Sequence, residues 1–420
     1  MSNRSIQNSR RVVITGLGCV TPLGNSVDAM WAGLLKGTCA IDFIRQIDAE
    51  NLPVKIAGEV KDFRPEAFGI DRATLRHNDP YALFAIAAAT QAMRDSGLEP
   101  GRDVDPARFG CAIGSGVGGI QTFCREHASL MANGYRGVSP LFIPEMIANI
   151  ASGNVAILFH AEGPNLPVVT ACATGTHSVG EAYRMIREGR ADAMITGGAE
   201  AAVCEIAISG FANSKALTTS DDPMAASLPF DARRKGFVIG EGAGVMILED
   251  YELARRRGAH IYAEVCGYGN TCDAYHYTAP RADARCAANC IRLALEEAGY
   301  REDEKLYINA HGTGTPLNDK AETLAIKLAL GETAARQAAI SSTKSMMGHM
   351  LGATGAVELV ICAKTLQDKK IAPTIHLDEP DPESDLDYTP HTARDFSADL
   401  TISNSFGFGG QNACVALRKI

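Results

Sequence analysis

Four short stretches of this 420-residue chain share one character: an apolar run ends in a turn of small residues that presents one reactive group. They are Thr170-Ala171-Cys172, then Asn309 to Thr315 with His311, then Thr343 to His349 with Lys344 and His349, and Asn404 to Gly410 with Phe408. Ligands of α/β sheets bind beyond the carboxyl ends of strands, so groups at several such ends can converge on one pocket. A thiolate is a nucleophile that accepts an acyl group as a thioester. Two imidazoles can donate hydrogen bonds to a second thioester carbonyl and stabilise enolate charge as a carboxylate leaves as carbon dioxide. Backbone N–H groups at a Gly-Phe-Gly turn suit an oxyanion hole, and a nearby ammonium stabilises anionic states. Together these groups describe a decarboxylating Claisen condensation. A hydrolase would need an activated water and an acidic orienter for its histidine. Only Asp319 and Glu322, close to the His311 turn, could serve as one.

Each group alone has an ordinary alternative. Cys172 could be a small buried hydrophobe. His311 could be a hydrogen-bonded turn residue, Lys344 a solvated lysine, His349 a neighbour of a helix cap, and Phe408 a packing residue. What sets these readings aside is the recurrence of one pattern at four strand ends.

The elements that must position these groups alternate, with apolar strand runs followed by amphipathic helices, which argues for α/β. The residues expected as strands are 11–16, 109–115, 193–198, 242–249, 261–268, 306–311, 339–343, 400–406 and 414–418. Val168-Val169-Thr170 reads as the end of a further buried strand, with a helix starting just after Cys172. That places the thiol by a helix N-terminus, whose partial positive charge favours a thiolate. Helices are expected over 81–96, 321–330 and 353–366, and an exposed loop over 378–387. A strand, a reactive turn and a helix recur in both halves of the chain. The domain reading is therefore a polar tail at 1–10, one half at 11–260 and a similar half at 261–420.

With 46% hydrophobic and 21% charged residues the chain can bury a sizeable core. A net charge of −9 implies no general affinity for nucleic acid or a membrane surface. The twelve cysteines include no C-x-x-C pair and no zinc spacing, so no metal site is expected, and their number suits a reducing cytoplasm. The polar N-terminus has no apolar signal core, and no apolar run is long enough to span a bilayer.

On the four stretches above, joined by Gly236 to Gly242, Asp273 to His276 and Ala372 to Ile375, the chain resembles the beta-ketoacyl-[acyl-carrier-protein] synthases of the thiolase superfamily. The type II elongating ketosynthases of bacterial fatty-acid synthesis are the nearest match in pattern. The resemblance runs from Val12 onward. It implies a thiolase-like five-layered α/β/α/β/α fold of two similar halves, a homodimer, an acyl carrier protein as partner and no cofactor. It also implies that Cys172 is the nucleophile and that His311 and His349 promote decarboxylation and condensation. Lys344 would support the histidines. Phe408 would gate the pocket, its N–H joining that of Cys172 in the oxyanion hole. Val117 and Phe211 match acyl-pocket positions, and Arg72, Arg76, Arg136 and Lys215 match the carrier-docking region. One departure is Gln411, where the family usually has threonine before the asparagine at 412.

Three alternatives remain within this resemblance. A thiolase would carry a second catalytic cysteine near the last glycine turn, where Phe408 stands. A chain-length factor would lack the nucleophile. A discrete polyketide ketosynthase would keep the whole set.

Overall fold

A computed structural model describes residues 10–420, so the expected polar tail lies almost wholly outside the described residues. The main strands are β1 (Val12–Val20), β2 (Phe109–Gly114), β3 (Ala193–Glu200), β4 (Gly242–Asp250), β5 (Ala263–Cys272), β6 (Leu306–Asn309), β7 (Ala339–Ser341), β8 (Leu400–Gly407) and β9 (Gln411–Arg418). They hydrogen-bond in the order β2-β3-β4-β1-β5-β9-β8-β6-β7. The two sides meet where Val12–Ile14 pair with Ala263–Val265. Each side repeats one pattern. A parallel pair (β2 with β3, β6 with β8) is followed by an antiparallel partner and then the first strand of that side.

Three helical layers sandwich these two sides. Helix α1 (Pro80–Ser96) covers β1, β3 and β4, and most of its alanines are fully buried. It lies so close that a Cβ on Gly18 would sit 2.0 Å from the Ala88 carbonyl oxygen, which admits only glycine there. Helix α2 (Thr174–Arg187) and helix α5 (Thr354–Asp368) fill the middle, touching strands of both sides. Helix α3 (Arg285–Ala298) covers β5 and β9, with α4 (Pro316–Leu330) beside it. The three main apolar clusters fill the gaps between layers, one of them reaching the strands on both sides of the central helices. The exposed loop expected over 378–387 carries no regular structure.

One expected strand is absent. Val168 to Thr170 join no strand ladder, and the segment meets the sheet at its start, through a parallel bridge from Asn165 to Cys111 and a hydrogen bond from the Gly163 N–H to the Phe109 carbonyl. By the internal repeat this is the place of a fifth strand, the counterpart of β7. Pro164 and Pro167 remove two donors from it, and Val169 is 58% exposed instead of buried.

Candidate active site

Cys172 sits in a single 3₁₀ turn, Ala171–Ala173, that runs straight into α2. Ala171 enters it at φ 50°, a left-handed conformation that costs a non-glycine residue about 1 kcal/mol. The same device recurs at the start of α5, where Leu351 at φ 46° opens the turn Leu351–Ala353. The repeat is visible in the residues themselves: Ala173-Thr174-Gly175 against Ala353-Thr354-Gly355. Cys172 thus has Gly352 as its internal counterpart. The turn joining β8 to β9 presses on this one. A Cβ on Gly407 would lie 2.9 Å from the Thr170 carbonyl oxygen and 3.1 Å from the Cys172 nitrogen.

Burial pushes the Cys172 thiol up to about 11, against the opposing pull of hydrogen bonds from the N–H groups of Phe408 and Cys172 and of the Lys344 charge. This corrects the expectation that proximity to a helix N-terminus yields a thiolate. The helix proper begins at Thr174, and at a nearly buried sulfur desolvation outweighs partial charges.

A cavity of about 350 Å³ is lined by Cys172, His311, His349, Phe408, Phe237 and Lys215, among others. The His311 and His349 rings stand 5.4 Å apart, edge to face, and Phe237 packs edge-on 5.2 Å from His349. Burial, reinforced by the nearby Lys344 charge, holds both imidazoles well below their ordinary value, so both are neutral at physiological pH. Nδ1 of His311 and Nε2 of His349 are buried without a hydrogen-bond partner.

Lys344 does not line the cavity. It is 1% exposed, and its Nζ lies 2.5 Å from Oε1 of the equally buried Glu358. Burial pushes the Glu358 carboxyl up and the ammonium opposes it. Glu358 was not singled out in the sequence, although a lone acid inside the apolar run Ala356 to Ile361 signals a buried partner. Glu322 is not an orienter of an imidazole. Its oxygens accept from the backbone N–H groups of His311 (2.8 Å) and Gly312 (2.7 Å) and from Asn404 Nδ2 (3.2 Å). Asp319 likewise accepts from the N–H groups of Phe230 and Gly314. Both carboxylates shape the His311 turn. Glu200, at the end of β3, was also missed. It accepts from Ser115 Oγ and from the N–H groups of Gly116, Val117 and Gly352, tying the two halves together behind the thiol.

The remaining expected residues fall in two places. Phe211 packs 6.2 Å from the Phe408 ring and 5.5 Å from Phe237. Val117 does not line the cavity and is 39% exposed. Lys215 stands exposed at the cavity mouth, while Arg72, Arg76 and Arg136 are exposed on short helices away from it. Gln411 lies in register with Gly407 and Cys272, its side chain near Gly409.

Five layers in two like halves, with reactive turns converging on one cavity, define the thiolase-like class. Residues 9–254 match the beta-ketoacyl synthase N-terminal domain and residues 262–378 the beta-ketoacyl synthase C-terminal domain. The chain belongs to the beta-ketoacyl synthase family. It is 48% identical over 414 residues to 3-oxoacyl-[acyl-carrier-protein] synthase 2 of Staphylococcus aureus (strain N315), covering 99% of each chain. A beta-ketoacyl synthase from Burkholderia phymatum STM815 superposes with a TM-score of 0.91 at 35% identity, over 98% of this chain and all of that one. A type II polyketide ketosynthase solved in complex with its acyl-carrier protein gives a TM-score of 0.89 at 34% identity, over 98% of this chain and all of that one.

Proposed function

We propose that this chain elongates fatty acyl chains. It would condense malonyl-acyl-carrier-protein, with loss of carbon dioxide, onto an acyl group held on Cys172, giving a β-ketoacyl-carrier product. The observation that carries this reading is one cavity holding a buried thiol, two neutral imidazoles with unpartnered nitrogens and the Phe408 N–H. In the first step the Cys172 sulfur attacks the acyl thioester, and its proton ends on the departing pantetheine thiol. The exchange is neutral overall, so a raised thiol pKa is no obstacle. In the second step His311 and His349 hold the malonyl thioester oxygen as carbon dioxide leaves. The resulting carbanion attacks the Cys172 thioester. The N–H groups of Cys172 and Phe408 receive the oxyanion, and its collapse expels the thiolate, which takes a proton from solution. Lys344 acts from behind by electrostatics.

Of the two cysteines near the last glycine turn, Cys414 is fully buried within β9 with its thiol pushed far up by burial, and Cys272, with its Sγ 3.6 Å from the Gly409 carbonyl oxygen, does not line the cavity. This favours decarboxylation over a thiolase reaction. The identity of 48% to a curated 3-oxoacyl-[acyl-carrier-protein] synthase 2, against 34% to the polyketide enzyme, favours fatty-acid synthesis over polyketide assembly. The direct test supplies acyl- and malonyl-carrier protein and measures carbon dioxide and β-ketoacyl product. Wild-type protein that makes neither would end this reading.

The acyl carrier protein is the partner, with Lys215 at the cavity mouth and Arg72, Arg76 and Arg136 as its docking cations. Phe211 and Val117 are read as acyl-pocket residues. Reversing the charges of Arg72 and Arg76 together should raise KM for the carrier-bound substrate about tenfold and leave kcat near the wild-type value, because rim charges act on encounter. An unchanged KM would remove that patch from the docking surface. The chain is further read as a homodimer. Leu166 and Val169, both more than half exposed, leave the unpaired fifth-strand segment with an apolar face that a second copy of the chain could cover. Sedimentation should give a dimer, and a monomer at micromolar concentration would refute it. Among the described residues no helix is long and apolar enough to cross a membrane, and the twelve free thiols suit a reducing compartment such as the cytoplasm.

A further inference from the structure

His349 Nδ1 lies 2.9 Å from Thr354 Oγ1, and both residues are almost completely buried. Thr354 opens α5, five residues beyond the histidine. A neutral imidazole has one N–H and one lone pair, so a hydroxyl at one nitrogen decides what the other presents. Two arrangements are possible. If Nδ1 donated to Thr354, the threonine proton would need an acceptor of its own, and among the described contacts Oγ1 has no other partner. If Thr354 donates to Nδ1, the hydroxyl is satisfied and the ring proton sits on Nε2. That nitrogen is itself buried and unpartnered on a side chain lining the cavity. The first arrangement would strand the hydroxyl proton away from the cavity, whereas the second leaves only an N–H that faces the cavity, where a bound molecule can accept from it, and that selects the second.

The internal repeat shows that this use of the hydroxyl is particular to the second half. Thr174 holds the same place at the start of α2, and its Oγ1 accepts from the backbone N–H of Thr170 at 2.9 Å. In the first half the hydroxyl stabilises its own turn; in the second it faces an imidazole. The neutrality of His349, which follows from burial and the Lys344 charge, makes its tautomer matter.

We infer that Thr354 is a positioning residue that locks His349 as the Nε2–H tautomer, so that the ring is a hydrogen-bond donor to the malonyl thioester oxygen and not a base toward Cys172. The inference rests on the condensation proposed above and assigns His349 a single role within it. Transfer of the first acyl group to Cys172 does not use that donor and should be indifferent to Thr354.

The test compares Thr354→Val, which keeps the shape and removes the hydroxyl, with Thr354→Ser, which keeps the hydroxyl. In Thr354→Val, kcat for malonyl decarboxylation and for condensation should fall about 10–100-fold, as when a preorganised donor loses its orientation. KM for malonyl-carrier protein and the rate of acyl loading on Cys172, followed by mass spectrometry, should stay within about threefold. Thr354→Ser should return kcat to near the wild-type value. Long-range ¹H–¹⁵N spectra of ring-labelled histidine should report the Nε2–H tautomer for His349 in the wild type and a mixture in Thr354→Val. An unchanged kcat in Thr354→Val, a serine variant as impaired as the valine one, equal loss of acyl loading, or the Nδ1–H tautomer in the wild type would each overturn the inference. Wild-type protein without condensation activity would instead overturn the proposed function, and the spectra would still decide the tautomer.

Discussion

Cys172→Ala should lower condensation by about 10⁴-fold or more while the protein stays folded and still decarboxylates malonyl-carrier protein. The nucleophile is the atom that carries the acyl group, so its removal eliminates the covalent route and leaves no detour. Decarboxylation asks only for donors to the malonyl thioester oxygen, and His311 and His349 both remain. Deleting one sulfur from a well-packed turn should cost no more than about 1 kcal/mol of stability. Condensation within tenfold of wild type would overturn the mechanism, and loss of decarboxylation as well would mean that the thiol shapes the malonyl site. An independent readout comes from the wild type. The Cys172 thiol stands at about 11, so its alkylation by iodoacetamide should quicken about tenfold per pH unit from pH 7 to 10. A rate already level at pH 8 would mean that the turn stabilises the thiolate more than burial opposes it.

Lys344→Met should destabilise the protein by about 3–5 kcal/mol near neutral pH, because it leaves Glu358 in a dry interior without its counter-charge, so that folding must drive a proton onto the carboxyl. The loss depends on pH, and its sign can be worked out. Burial already raises the Glu358 carboxyl above its ordinary value in the folded state, and deleting the ammonium raises it further. Between the unfolded value and this higher folded value the native state holds a proton that the unfolded chain does not. Stability therefore falls as pH rises through that window, by about 1.4 kcal/mol per unit, and is regained below the unfolded value near pH 4.3. Denaturant melts at pH 4 and pH 8 should show a small penalty at the first and a large one at the second. Pairing the change with Glu358→Leu should restore most of the stability, since a buried ion pair exchanged for apolar contacts is often neutral. Activity should not return, because Lys344 is the positive charge nearest both histidines in effect. Equal penalties at the two pH values would show that Glu358 binds its proton no more tightly in the folded variant than in the unfolded chain. Full activity in the double variant would make Lys344 structural only.

Much of this was legible before any coordinates. The helix expected over 81–96 forms over 80–96, and every strand expected from an apolar run ending in glycine forms at its place. Periodicity and turn residues are local signals, and here the packing agrees with them. The failure at Val168 to Thr170 is instructive for the same reason. The residues have strand propensity, but a strand needs a neighbour and free donors: Pro164 and Pro167 just before it remove two donors, and the chain offers it no partner strand in its own sheet. The acids were the other blind spot. Asp319 and Glu322 looked like possible orienters because they follow His311 closely in the chain. Their oxygens went to backbone N–H groups instead, a choice set by how α4 docks on the turn.

By itself, the sequence determined the alternation of strands and helices and the chemical identity of the groups at the strand ends: thiol, two imidazoles, ammonium and a Gly-Phe-Gly turn. These depend on residue type and spacing, which are written along the chain. Only the tertiary structure decided in what state those groups exist. It made the Cys172 thiol reluctant to ionise, kept both histidines neutral, paired Lys344 with Glu358 and set Thr354 against His349. Protonation and tautomer follow from desolvation and from which partner fills each hydrogen bond. Desolvation comes from segments far apart in sequence that meet when the two halves close on each other, while the pairings of Lys344 with Glu358 and of His349 with Thr354 come from how neighbouring turns and α5 fold onto one another.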